Sequence, residues 1–344
     1  MKKIATLVTL ATLLLAACST TPEKQEEPDW LNGSSKKFPA ALYLTGQGSA
    51  EELNDAKDRA RSDLAKQFEV AVQERSQQTQ EYSRTQKQGA AVESLDQQIS
   101  RNLMTYTSRT MQGVEIGEQW RDKVNKRYHV LAVLSRGRAQ QQFEQEINTL
   151  DNTTAQQLKQ ADAASDPLTK AALIQQAIET QQQRSAAQSS LQVVDASGRG
   201  NPATISLAEL VRSRDAIINK IRLTTSATGE MKDDLQQQLS SAASAAGFFL
   251  DEANADYTLT VTTKLDPAIV QQGWYWLRGT LELNLKDKNG KDAGVKRWPL
   301  KASSTTVEQT RQRLLNDTNT ILSQELRATV LGFAIAPEQP HQAK

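Results

Sequence analysis

The chain has 344 residues, 38% of them hydrophobic and 5% aromatic, with 41 Lys plus Arg against 40 Asp plus Glu and a formal charge of +1. That length allows one large domain or two to three ordinary ones, and the charge balance leaves no broad field for grasping nucleic acid or an anionic membrane. One Cys and two His exclude an internal disulfide framework and leave little for zinc or thiol–imidazole catalysis, while a mean hydropathy of −0.58 speaks against a polytopic membrane protein.

Lys2 and Lys3 precede an apolar run, Ile4 to Ala17, too short for a membrane anchor, which takes about 20 residues. It fits the apolar region of a secretory leader. The run closes on Leu15-Ala16-Ala17-Cys18, which resembles the bacterial lipoprotein box: small residues before a cysteine that receives lipid and becomes the new N-terminus. An ordinary leader with a chance cysteine is the alternative; the place of the one Cys, directly behind small residues, speaks for the box. The resemblance implies removal of residues 1–17, Lys2 and Lys3 included, which turns the formal charge into a slight acidic excess. Lipid then holds the protein, at about 0.8 kcal/mol per buried methylene, with two or more chains needed for stable attachment. In such lipoproteins an Asp behind the cysteine favours inner-membrane retention. Ser19 stands here, so the resemblance implies the outer membrane, facing the periplasm. Residues 18–29 are too polar to build a core and read as a tether reaching at most roughly 40 Å.

Pro28-Asp29-Trp30-Leu31 opens the folded part. Ala41 to Gly46 reads as a strand, Gly46-Gln47-Gly48 as a turn, and Ser49 with Glu52 as a capping box for a helix. Leu53, Ala56, Ala60, Leu64, Phe68 and Val72 form its apolar stripe. A polar stretch from Gln73 to Gly89 follows, then a second helical stripe on Val92, Leu95, Ile99, Leu103 and Tyr106. From Gly113 the period changes to two. Val114, Ile116 and Trp120, then Tyr128, Val130, Ala132 and Leu134, predict a hairpin around Asp122 to Asn125, with Glu118 the exception to the alternation.

Arg138 to Ser190 is rich in Ala and Gln and predicts a helical hairpin broken at Asp166-Pro167, with a disordered linker as the alternative. Ser197 to Pro202 marks a boundary. Beyond it the pattern predicts a helix over Leu207–Ile221, a strand at Arg222–Ala227, a helix from Leu235 to Ala246 and a strand at Ala255–Val261. A longer strand over Gly273–Leu285 turns at Asn289-Gly290 into Val295–Lys301, and a last helix covers Val307–Phe333. The expected class is α+β: two small mixed α/β modules, each a short sheet packed on amphipathic helices, joined by a helical hairpin. The boundaries are 1–17 leader, 18–29 lipidated tether, 30–136 first module, 137–197 hairpin spacer, 203–335 second module and 336–344 disordered tail.

Pro28-Asp29-Trp30, Tyr43 to Gly48, the Ala-rich helix from Ala50 to Phe68, and Tyr128 to Leu134 together resemble the LPP20 family of bacterial outer-membrane lipoproteins, over roughly residues 28–150. The resemblance implies a periplasm-facing protein without an active site, and related modules occur in flagellar outer-membrane ring proteins. Around Ala255 to Leu259 the second module is similar in layout to flagellar assembly protein T and to penicillin-binding-protein activator lipoproteins. Neither resemblance supplies catalytic residues.

The remaining motifs point the same way. Gly46-x-Gly48 fails as a dinucleotide fingerprint because Glu51 stands where a third glycine is needed. His129 lacks a His partner other than His341 in the tail, so no catalytic or metal residue and no cofactor is expected. Trp274 and Trp276 alternate with Tyr275 on a predicted strand and share one face. With Trp30 these three are the candidate partner contacts, although core packing also accounts for them, and Trp30 alternatively docks the incoming chain. The sequence therefore leads to a lipid-anchored, non-catalytic accessory protein of envelope or flagellar ring assembly, with the outer membrane and envelope or flagellar proteins as partners and neither nucleic acid nor a small-molecule substrate. Two alternatives stay open: a protein-contact regulator of a peptidoglycan synthase, and a cell-wall glycan-binding or hydrolytic enzyme.

Overall fold

A computed structural model describes residues 26–84, 110 and 112–335. Cys18, the stripe from Val92 to Tyr106 and the tail 336–344 lie outside them. The chain divides into two units: the N-terminal residues up to Phe68 with Met111–Arg136, and Glu69–Thr110 with Gly137–Lys344. Both combine helices with sheets, so the α+β class is correct.

In the first unit, β1 (Tyr43–Ala50), β2 (Glu115–Asp122) and β3 (Arg127–Ser135) form an antiparallel sheet in the order β1-β3-β2. The central strand is the apolar one: Val130 through Leu134 are all buried, so both of its faces are covered. Helix α1 (Leu53–Arg84) lies on one face, with Ala56, Ala60, Leu64 and Phe68 buried at a spacing of four. It approaches very closely. A Cβ on Gly46 would stand 2.4 Å from the Leu64 nitrogen, and one on Gly48 2.2 Å from the Ala60 nitrogen. Gly46-Gln47-Gly48 is therefore not a turn. It is mid-strand, its two bare positions admitting the small face of the helix. Ser49 is likewise in β1, opposite His129, and α1 begins at Leu53, so the Ser49–Glu52 capping box does not form.

The other face of this sheet is closed by the segment that precedes it. Asp29–Asn32 makes a 3-10 turn that buries Trp30 against Leu131 and Val133, with Phe38, Tyr43 and Trp120 around it. Gln47 Nε2 donates to the Trp30 carbonyl at 2.6 Å and fixes the turn to β1. Burying an indole of this size contributes on the order of 4 kcal/mol before entropy is counted. At the β2–β3 turn the Asp122 carboxylate accepts from the Val124 and Asn125 amides. The expected alternation of Ile116 with Trp120 does not hold: the ladder slips between Ile116 and Glu118, a bulge centred on Gly117, so Ile116 stands opposite Ala132 and Trp120 opposite His129, on opposite faces.

The polar stretch after Phe68 does not end the helix, since α1 continues through Arg84. In the second unit, α2 (Arg136–Ala163) and α3 (Pro167–Val194) form the helical hairpin; they are ordered helices, not a linker. Asp166 caps α3 by accepting from the Thr169 amide at 2.8 Å, and Pro167 takes the first helical position. The sparse apolar positions are compensated by a buried polar seam. Arg184 donates to Asp151 at 3.0 Å and to the Asn201 carbonyl, while Gln181 bonds Thr154 at 2.9 Å. Such groups must all be paired, because one left alone costs several kcal/mol. The hairpin is more than a spacer, for Leu168, Ala171 and Ala172 join the same core as the C-terminal strands.

That core is formed by α4 (Leu207–Ile218), α5 (Lys232–Ala245) and α6 (Val307–Ile335) on one face of a mixed sheet. The strands are β4 (Arg222–Gly229), β5 (Phe249–Leu250), β6 (Tyr257–Leu265), β7 (Ile269–Gln271), β8 (Trp274–Asp287) and β9 (Asp292–Ser304). β4 is parallel to β5 and β6, and β8 runs antiparallel to β6, β7 and β9. Leu223, Leu259, Val261, Leu281, Leu283, Leu285 and Leu300 face the helices. The alternate positions do not enter a core. Away from the β7 end, Thr, Ser and charged residues occupy most of them, with Ser226 bonded to Thr260 at 2.8 Å and Thr228 to Thr262 at 2.7 Å across the strands.

Candidate functional site

The sheet of the second unit is helix-covered on one side, so the aromatic strand end is sorted by the pleat. Leu277 and Leu281 face the helices, and Tyr275 shares their side; Trp274, Trp276 and Arg278 lie on the outer face. The strand is entered through a two-residue hairpin, Gln272-Gly273, with both residues at positive φ (53° and 78°) and Gln271 opposite Trp274. This is the primed turn geometry that matches strand twist, held even though Gln272 carries a Cβ. It sets Trp274 at the end of β8 with 43% of its surface exposed.

Neighbouring strands complete the surface. On the outer face Trp276 stands opposite Ile269 of β7 and Ser303 of β9, and Arg278 stands opposite Lys301. The Lys301 ammonium lies 5.3 Å from the centre of the Trp276 ring. Farther along, Glu282 accepts from Arg297 at 2.6 Å and pairs Lys264 at 3.6 Å. Those cations, Arg297 first, hold its carboxyl below the usual range. Sequence reasoning named the tryptophans and missed Arg278 and Lys301. The signal was available: counting outward from the Asn289-Gly290 turn places 278 opposite 301.

Trp30, read from sequence as a candidate partner contact, is instead an interior residue, 1% exposed, so the docking alternative is the one the structure adopts. Its indole N–H, like that of Trp120, is buried without an acceptor. Trp298 is also interior, but its N–H donates to Glu325 at 2.9 Å and Lys296 lies over its ring at 4.8 Å. Lys296 and then the indole lower the Glu325 carboxyl.

The other perturbed groups are tied into the fold. Tyr257 donates its hydroxyl to the Asp166 carboxylate, linking β6 to the start of α3. Burial followed by that carboxylate raises the phenol. On Asp166 burial pushes upward, and the bonds from Thr169 and Tyr257 outweigh it, leaving the carboxyl below its ordinary value. Asp195 collects the Ser197 hydroxyl and the Gly200 and Ser197 amides in the loop after α3, which brings it down to about 2. His129 is half-buried beside Trp120, ring centres 5.4 Å apart. Among the described residues no group of three His, Cys, Asp or Glu is placed to hold a metal, and no helix is long and apolar enough to cross a membrane.

Residues 28–135 match the family model described as LPP20 lipoprotein, which establishes the N-terminal resemblance. The match ends at residue 135, so the C-terminal resemblance rests on layout alone. No curated protein matches the chain. Solved structures to which it is similar include a minor lipoprotein from Acinetobacter baumannii, 19% identical with a TM-score of 0.26, covering 31% of this chain and 93% of that one. A secreted protein of Helicobacter pylori is 14% identical with a TM-score of 0.35, covering 85% and 98%. A lipoprotein of Neisseria meningitidis is 17% identical with a TM-score of 0.21, covering 29% and 96%.

Proposed function

Taking residues 28–135 as an LPP20 lipoprotein module, we propose that the protein is lipidated at Cys18, held on the outer membrane facing the periplasm, and works there as a non-catalytic accessory of envelope or flagellar ring assembly. The observation that carries this reading is the conjunction of Leu15-Ala16-Ala17-Cys18 with that module, ten residues of polar sequence lying between Cys18 and Asp29. Ser19 behind the cysteine supports the outer membrane. Anchoring confines the module to a thin layer and raises its effective concentration for envelope partners. The non-catalytic part is supported by the use of the perturbed groups: Asp166, Asp195, Tyr257 and Glu325 are each engaged in turns, caps or core contacts. Fractionation of cells expressing Cys18→Ser tests the anchor. The variant is expected in the soluble periplasmic fraction while the parent sediments with outer membrane, and co-sedimentation of the variant would contradict the reading.

A further inference from the structure

We propose that the outer face of the β7–β8–β9 end binds peptidoglycan, with its tryptophans on a glycan strand and its cations on the carboxylates of the attached stem peptides. Trp274 and Trp276 are two positions apart on one face of β8, a separation of roughly 7 Å, and form an aromatic platform bordered by Ile269 and Gln271. Aromatic faces of this kind stack on the C–H faces of sugar rings. Directly beyond the platform, Arg278 and Lys301 oppose each other across the β8–β9 ladder, and neither has an ion-pair partner among the described residues. Like charges directly opposite destabilise a sheet. The remainder of the same face avoids the problem, since Glu282 neutralises Arg297 and Lys264.

An open cleft of about 310 Å³ adjoins the patch and is lined by Lys301, Ser303, Arg313, Asn316 and Asp317. It adds a third cation, against two carboxylates: Asp317 in the cleft and Asp266, whose amide donates to the Arg278 carbonyl. An aromatic platform with surplus positive charge is complementary to a hydroxyl-rich glycan whose attached peptides carry carboxylates. An acidic peptide fits less well. Extended peptides gain affinity by adding a strand at a sheet edge; the free edges here are those of β7 and β9, and on β9 Arg313 already takes the Ser303 carbonyl, whereas the platform itself offers side chains only. The inference rests on the periplasm-facing reading for where such a glycan is met, but the binding itself does not require the anchor.

The test is co-sedimentation of the full mature chain, purified in detergent, with purified peptidoglycan sacculi. The parent is expected to pellet, and W274A/W276A to bind about tenfold or more weakly. W274F/W276F, which keeps rings in place, should retain most binding, separating loss of stacking from loss of fold. R278S/K301S should fall comparably and lose the salt sensitivity of the parent. K123S/K126S, at the hairpin tip of the other unit, should bind as the parent does. Parent protein that stays in the supernatant, W274A/W276A that pellets like the parent, or binding to poly-glutamate but not to sacculi would each overturn the proposal. Sacculus binding in a protein that fails the Cys18→Ser fractionation test would overturn the anchoring alone.

Discussion

The two sheets of this protein treat their tryptophans in opposite ways. In the N-terminal sheet both faces are closed, by α1 on one side and the Asp29–Phe38 segment on the other, and Trp30 is spent in the interior. The C-terminal sheet is closed on its helix side, where Trp298 bonds Glu325, and leaves Trp274 outside. The difference teaches that an aromatic residue becomes available for recognition when the face it points to has no layer over it; residue type and strand position do not decide it. It also separates what each unit requires of its side chains: near-zero clearance in the first, ladder pairing on an open face in the second.

Truncation should expose the contrast most strongly. Trp30→Ala removes a buried ring and leaves a cavity, and should destabilise the first unit by about 3–5 kcal/mol in urea titration. Trp274→Ala should stay within about 0.5 kcal/mol. Equal losses would abolish the distinction between a closed and an open sheet. Gly48→Ala comes next. Its methyl would meet backbone atoms of α1, which cannot swing aside, so a loss of about 1–3 kcal/mol is expected in the same titration. Retention of full stability would show that α1 does not sit on β1.

Within the second unit, Tyr257→Phe removes the hydroxyl that bonds Asp166 and should lower stability by about 1 kcal/mol. The smallest effect concerns pH. The Asp195 carboxyl has an ordinary value of 3.8 and is held at about 2 in the folded chain. Its stabilisation is therefore present above about pH 4 and is lost as the pH falls toward 2. Because this group is largely solvated, the contribution is on the order of 1 kcal/mol after screening. Asp195→Asn should lower stability by that amount at neutral pH and flatten the acid limb between pH 4 and 2, as read from melting temperature against pH.

The legible parts of the fold were those whose signals are local. The stripe from Leu53 to Val72 marked α1, Asp166-Pro167 marked the break in the helical hairpin, and Asn289-Gly290 marked the β8–β9 turn. What failed depended on neighbours remote in sequence. Gly46-x-Gly48 reads as a turn until a helix is known to press on it, and Ser49 reads as a cap until β1 is known to extend through Ala50. The short strands β5 and β7 carry no period long enough to detect. At the aromatic site, alternation assigned Trp274 and Trp276 to one face, but which face was covered depended on where α5 and α6 pack. Trp30 was ambiguous for the same reason: nothing local says that the segment before β1 folds back over Leu131 and Val133.

Lipid anchoring at Cys18 is tested most directly by the intact mass and N-terminal composition of the protein purified from outer membranes. The expected mature chain begins at Cys18 and carries lipid on it. A mature chain that begins at any other residue, or an unmodified Cys18, would contradict it.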